Sequence, residues 1–363
     1  MTSRCWLLLL VLVASCCDYQ VWAGDTPDAL VLAETTEGDL LLGWTVRGVS
    51  TIATRAHDDG AFRVRDWTLG GRPVRSADVR VVGGTGRFLA YRAGLAQFLT
   101  AAGEPVGEPF SIHTNAEVAA STAGFVIAWA EGDHAWATVV TDERSPRTAL
   151  DLGEMVGASN VAVAANRDLA VVLWTERTGE LRDVRLDAAG QILDVPGALL
   201  GYNVRPGLRV GGRDDGFLIV AGNETLTLAP DGTLVRRGPL EVTVNSLITT
   251  ADGFTEAFVT DASGRTFPSQ AALHVRTLAV TGALRSDAIS EGLAAVVAGG
   301  SLATTIAVVR QHLAPAAEAT IEVQTVTGGT FGPRTTVATF PYTLECVYGG
   351  SEGGSPIFCN CPE

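Results

Sequence analysis

Lysine is absent from this chain of 363 residues, and all 26 basic residues are arginine. Forty acidic residues bring the net charge to −14 and the pI to about 4.8. No basic patch is available to neutralise phosphates, which excludes nucleic acid as a partner. The missing lysine fits a compositional bias that also enriches alanine, glycine and valine. Charged residues are few, at 18%. The five histidines (57, 113, 134, 274 and 312) are scattered, and no two share metal-ligand spacing. Asp133-His134 sits beside Trp136 in a loop, and the sequence names no catalytic partner for it. No G-x-S-x-G, phosphate-binding loop or H-E-x-x-H occurs, so the familiar hydrolase and nucleotide motifs are missing. Cysteine is absent between residues 18 and 345. The stretch from 292 to 309 is uncharged but interrupted by glycine, serine and threonine, and it reads as strand, turn, strand rather than a membrane span.

What is present is a repeat. Apolar runs ending in a large residue recur at Trp44, Tyr91, Trp129, Trp174, Ala221, Phe258 and Val308. From Trp44 to Val308 is 264 residues in six steps, a mean of 44. A tight turn supplies a second landmark, at Gly60, Gly103, Arg144, Gly190, Gly232, Gly282 and Gly329. Its mean step is about 45 residues, in phase with the first. Glycine or an Asx residue between alternating runs marks a hairpin, because such turns need positive φ. Each unit reads as four strands. The first strand is rich in alanine, valine and glycine, suited to a crowded axis, and the second carries the large residue. The pattern predicts an all-β chain, a β-propeller of seven four-stranded blades over residues 28–340. Six blades are the alternative; a solenoid or a pair of β-sandwiches fits the period less well. The polar stretch from Thr260 to Gln270 reads as a loop insertion.

The N-terminus reads as an export signal. Arg4 precedes the apolar run Cys5 to Cys17, too short to span a bilayer. Val13-Ala14-Ser15-Cys16 resembles a bacterial lipobox, which implies cleavage after residue 15 and lipid on Cys16. Val21-Trp22-Ala23 before Gly24 is the competing site of plain secretion. Together, lipobox and degenerate repeats resemble bacterial exported β-propeller lipoproteins. The resemblance implies a signal at 1–15, a tether at 16–27, the propeller, and a Gly/Cys-rich tail at 341–363. It places the protein in the cell envelope, at the outer membrane or cell surface, held to the membrane through its N-terminal lipid only. The signatures of WD, Kelch and sialidase propellers are missing.

Candidate site residues follow from the repeat. A polar residue recurs just before the inner strand: Asp28, Asp78, Glu117, Asn160, Asn245 and Glu291. Six such groups around one channel mouth suit a calcium ion or sugar hydroxyls. The same residue types also end turns by satisfying local backbone N–H groups. No catalytic residue and no resident metal is nominated. With Cys16 lipidated, Cys17, Cys346, Cys359 and Cys361 form an even set of disulfide candidates. One bridge is expected within the tail, from Cys346 to Cys359 or Cys361. The favoured function is a non-enzymatic scaffold for a protein or glycan. Alternatives are an extracytoplasmic polysaccharide hydrolase or lyase with acidic residues at the channel mouth, and a structural surface protein.

Overall fold

The computed structural model describes residues 19–24, 27–348 and 357–360. Excepted are positions 28, 75–78, 142–147, 156–160, 195–196, 202–206, 241, 243, 245, 251, 262–270, 293, 299–303 and 313–317. Every regular element among them is a strand. Seven antiparallel blades of four meandering strands follow one another along the chain; the last belongs to a six-stranded sheet, and a small hairpin, Thr68–Leu69 with Arg72–Pro73, follows the first. Blade 1 is Ala29–Glu34, Leu40–Val46, Val49–Arg55 and Arg63–Asp66. Blades 2 to 6 begin at Arg80–Gly83, Glu117–Ser121, Val161–Ala165, Arg209–Arg213 and Ile248–Thr250. Blade 7 begins at Ala294–Ala298 and continues through Thr304–His312, so the uncharged stretch is two strands of one blade. No described helix is long and apolar enough to cross a membrane. Seven blades, not six, make the ring.

The core is divided in seven, one cluster per blade-to-blade interface. The decisive one joins the ends of the ring. Leu32, Leu42 and Trp44 of blade 1 pack against Ala307, Val309 and Ile321 of blade 7. A sheet buries one face against each neighbour only if its residues alternate, and the second strands do. In blade 4, Val172 and Trp174 face blade 3, while Val171 and Leu173 face blade 5. Outer strands are exposed, as in Arg63–Asp66 and Leu234–Pro239, where arginines and, in the second, a proline blunt an open edge that also carries Val64, Leu234 and Val235. The last blade differs. Its fourth strand, Thr330–Tyr348, also pairs with Tyr19–Gly24 and Ile357–Asn360. The first of these lies within the stretch read from sequence as a tether.

The large residues of the second strands do occupy that strand in every blade. Trp44, Tyr91 and Trp174 are buried. Trp129 and Phe258 are half-buried, a correction to the expectation that all five fill the core. Each of the two sits near the outer end of its strand, under a histidine: His113 stacks on Trp129 and His274 on Phe258. Fully buried beside Trp174 are Phe88, Phe125, Phe217 and Phe254 at the start of the second strands, together with Phe98 and Trp67. Trp67 lies over Gly43, where any Cβ would come within 2.6 Å of the indole.

The turn glycines have a second role. Gly103, Gly190, Gly232 and Gly282 all have φ between 76° and 81°, as their hairpins require. Each also rests on the third strand of the preceding blade, against Thr54, Val139, Arg185 and Thr225 respectively. Side chains of that strand reach the turns. Thr54 donates to Ala102 O at 3.0 Å, Arg185 to Asp231 O at 2.7 Å and Thr227 to Val280 O at 2.9 Å. Arg144 lies outside the described residues.

One interface holds a costly charge. Asp183, on the third strand of blade 4, is 4% exposed beside the bidentate Arg185–Asp194 pair. Burial, then the neighbouring Asp194 charge, pushes its carboxyl up to about 6, against the partial relief of Arg185. A raised carboxylate stabilises the fold fully below its unfolded value near 4, and that contribution is lost as pH rises through 6. Asp183→Asn is therefore expected to gain at most about 3 kcal/mol over the parent at pH 7.5, and little at pH 4. Urea unfolding at both values checks it; an equal loss at both would contradict the burial account.

Candidate functional site

The seven inner strands enclose an axial channel of about 810 Å³. Its wall at mid-depth is apolar and small, with Val81, Val118, Val163 and Val210 contributed by successive blades. The inner strands run side by side in one direction, so their ends meet. Gly83 lies against the Glu34 carbonyl and Gly212 against that of Ala165. A Cβ at Gly83 would fall 1.9 Å from the Glu34 oxygen, and one at Gly212 would fall 2.6 Å from the Ala165 oxygen. Glycine here sets how closely the blades approach the axis.

Where the inner strands end, the channel mouth is polar. Thr36, Thr85, Thr122, Arg167, Asp214 and Asp215 are exposed around it. Bonds between blades hold the rim. The Thr36 N–H donates to Gly84 O at 3.1 Å, and the Gly86 N–H to Glu37 Oε2 at 2.6 Å. Thr122 Oγ1 donates to Arg167 O at 2.6 Å, and the Arg167 N–H to Asp214 Oδ1 at 3.3 Å. Arg213 Nη1 donates to Thr250 O at 2.5 Å. The Arg167–Asp214 ion pair, at 3.7 Å and exposed, adds little stability and serves position instead.

Glu34 is the buried acid of this wall. It is 5% exposed, and Thr305 Oγ1 of blade 7 donates to its Oε2 at 3.0 Å. Burial pushes the carboxyl above its usual range, and the Thr305 bond opposes that rise. The contact crosses the seam between the last blade and the first.

The opposite mouth, where the inner strands begin, is where the repeat led six polar residues to be expected. Asp28, Asp78, Asn160 and Asn245 lie outside the described residues. Glu291 closes the last strand of blade 6. Glu117 starts the inner strand of blade 3, and its carboxylate takes an ion pair from Arg80 at 2.5 Å. Burial, with the Glu117 charge second, pushes the nearby Tyr91 hydroxyl up to about 12. The calcium expected there has no described ligand set to be weighed against. Among the described residues no three of His, Cys, Asp or Glu converge as metal ligands.

Sequence reasoning missed the partners of two histidines. His134 Nδ1 meets Asp151 Oδ1 at 2.9 Å, and His274 Nδ1 meets Asp287 Oδ1 at 3.1 Å. The Asp151 carboxylate draws the His134 imidazole upward, and the imidazole holds Asp151 down. Both pairs span the third and fourth strands of a blade, away from the channel. Their residues lie 17 and 13 positions apart, a hairpin spacing that carries no signal of its own.

No protein-family model matches the chain, and no curated protein matches it. Among solved structures it is similar to one from a study of two prolyl endopeptidases, at 11% identity and TM-score 0.53. That match covers 93% of this chain and 54% of the other, so the chain spans about half the length of that protein. Kluyveromyces lactis Hsv2p matches at 14% identity and TM-score 0.48, covering 85% and 99% of the two chains. The WD40 domain of SCAP from fission yeast matches at 8% and 0.47, covering 88% of each. The first likeness speaks for the fold alone, and the two below 0.5 add no weight.

The closeness of inner strands is testable. Gly83→Ala drives a Cβ into backbone that cannot rotate away, and is expected to cost about 1–3 kcal/mol. Gly60→Ala has open space around it and is expected to stay within about 0.5 kcal/mol of the parent. Thermal unfolding of the two variants side by side gives the comparison; equal midpoints would refute the close approach.

Proposed function

We propose that the chain is an exported, lipid-anchored, non-enzymatic binding scaffold. It presents the polar mouth of its channel to a glycan or protein partner in the bacterial cell envelope. The observation that carries this reading is the pre-ordered rim. Exposed hydroxyls, a guanidinium and carboxylates are contributed by several blades and fixed by bonds between blades. Groups held in place before binding lose little freedom on binding. Hydroxyls with one guanidinium and two carboxylates suit the alternating donors and acceptors of sugars or peptide backbone. The pairing of Tyr19–Gly24 with the last blade supports cleavage at Cys16 over Gly24, since a cut before Gly24 would remove most of that strand.

Two measurements test this. The mature protein from its host is expected to begin at Cys16 and carry acyl mass; an unmodified N-terminus at Gly24 would sink the anchor. Glycan arrays and cross-linking in the host envelope are expected to return a ligand whose affinity drops about tenfold or more in Thr85→Ala/Thr122→Ala/Asp214→Ala, measured well below the midpoint of that variant, where it is fully folded. Cleavage of an array polysaccharide would instead establish the hydrolase or lyase reading, and undiminished binding by the triple variant would remove the rim from the site.

A further inference from the structure

The strand Thr330–Tyr348 serves two sheets in turn. As far as Pro341 it is the outer strand of blade 7, paired with Glu318–Thr327. Beyond that point it outruns its partner and offers two open edges. Tyr19–Gly24 takes one edge, from Tyr342 to Val347, and Ile357–Asn360 takes the other, from Glu345 to Tyr348. Tyr19–Gly24 and Ile357–Asn360 are thereby held in one three-stranded extension of the last blade.

The register sets Cys346 directly opposite Cys359. Residues directly opposite in an antiparallel pair stand on the same face with Cα atoms about 4.5 or 5.5 Å apart, according to the hydrogen-bonding position. Both distances fall in the span of a disulfide, roughly 4.4–6.8 Å. A bridge to Cys361 requires Ile357–Asn360 to slip two residues along its partner and give up the present pairing. The intervening sequence contains Gly349, Gly350, Gly353 and Gly354, a residue type that accepts turn conformations at little steric cost.

We infer that Cys346 and Cys359 are joined by a cross-strand disulfide that locks the C-terminal strand to the last blade. In forming it the two thiols give up two protons and two electrons, and an S–S bond replaces two S–H bonds. The oxidant is a second disulfide, of a small thiol or a thiol oxidoreductase, which accepts them and leaves as two thiols. The bridge is independent of the binding reading above.

The purified full chain, equilibrated in a glutathione redox buffer, tests the pairing whatever its native compartment. Free thiols are blocked, and the denatured protein is cut with a glutamyl-specific protease without reduction. Cuts after Glu345 and Glu352 release residues 346–352 and 353–363 as separate peptides unless a disulfide joins them. The two are expected as one linked species that separates on reduction. The link is expected to survive Cys361→Ser and to vanish in Cys359→Ser. A link that survives Cys359→Ser but not Cys361→Ser would overturn the assignment, as would a bridge from Cys346 to Cys17 or three blocked thiols in the tail.

Discussion

A ring must close, and everything else in this molecule depends on the interface where it does. Six of the seven blade contacts join neighbours in sequence, but the seventh joins blade 7 to blade 1. Opening it would expose Leu32, Leu42, Trp44, Val309 and Ile321 together. At about 1.5–3 kcal/mol for each large side chain, that loss is on the order of 10 kcal/mol. A figure of that size rivals the whole net stability of an ordinary fold, about 5–15 kcal/mol. The blades therefore hold each other only as a closed set. The Thr305–Glu34 bond at the same seam fixes the channel wall across it.

Closure with seven blades also sets the character of the channel. The inner strands must approach closely, so their walls are alanine, valine and glycine, and at Gly83 and Gly212 backbone meets backbone. Small walls leave the middle of the channel with little to offer a ligand beyond shape. Chemistry is displaced to the strand ends, where the chain turns and polar side chains bond across to the next blade. The rim is thus a by-product of the same constraint that empties the centre.

Much of the architecture is legible because the sequence repeats what the physics repeats. Glycines at Gly103, Gly190, Gly232 and Gly282 mark the period so clearly because two demands meet there: positive φ, and room for the strand beneath. The large residues of the second strands show where blades meet, but not how deeply each is buried. Trp129 and Phe258 read like Trp174, and only the stacked histidines and outer strands reveal that they are half-exposed. The hydrogen bonds of His134 and His274 to their aspartates depend on strand register, which hydrophobic spacing leaves open. Tyr19–Gly24 reads as linker because its partner lies more than 300 residues away, and nothing local announces a pairing of that range. The polar mouth where the inner strands end went unread for a related reason. Thr36, Thr85 and Thr122 look like ordinary turn residues until the ring sets them side by side.

Closure has a temporal side. A chain made from its N-terminus completes blade 1 early and blade 7 last. Until the strands around Val309 and Ile321 have emerged, the face formed by Leu32, Leu42 and Trp44 has no partner. The nascent protein carries a sticky apolar surface through nearly its entire synthesis. Partial rings with such a face associate with one another, or with a blade from a neighbouring chain. The turn glycines offer no help at that surface, since Gly103, Gly190, Gly232 and Gly282 each dock onto the blade before their own, and a Cβ at Gly60 of the first blade would have open space around it. Chaperone demand during biogenesis is therefore built into a ring whose first and last blades are its most distant residues.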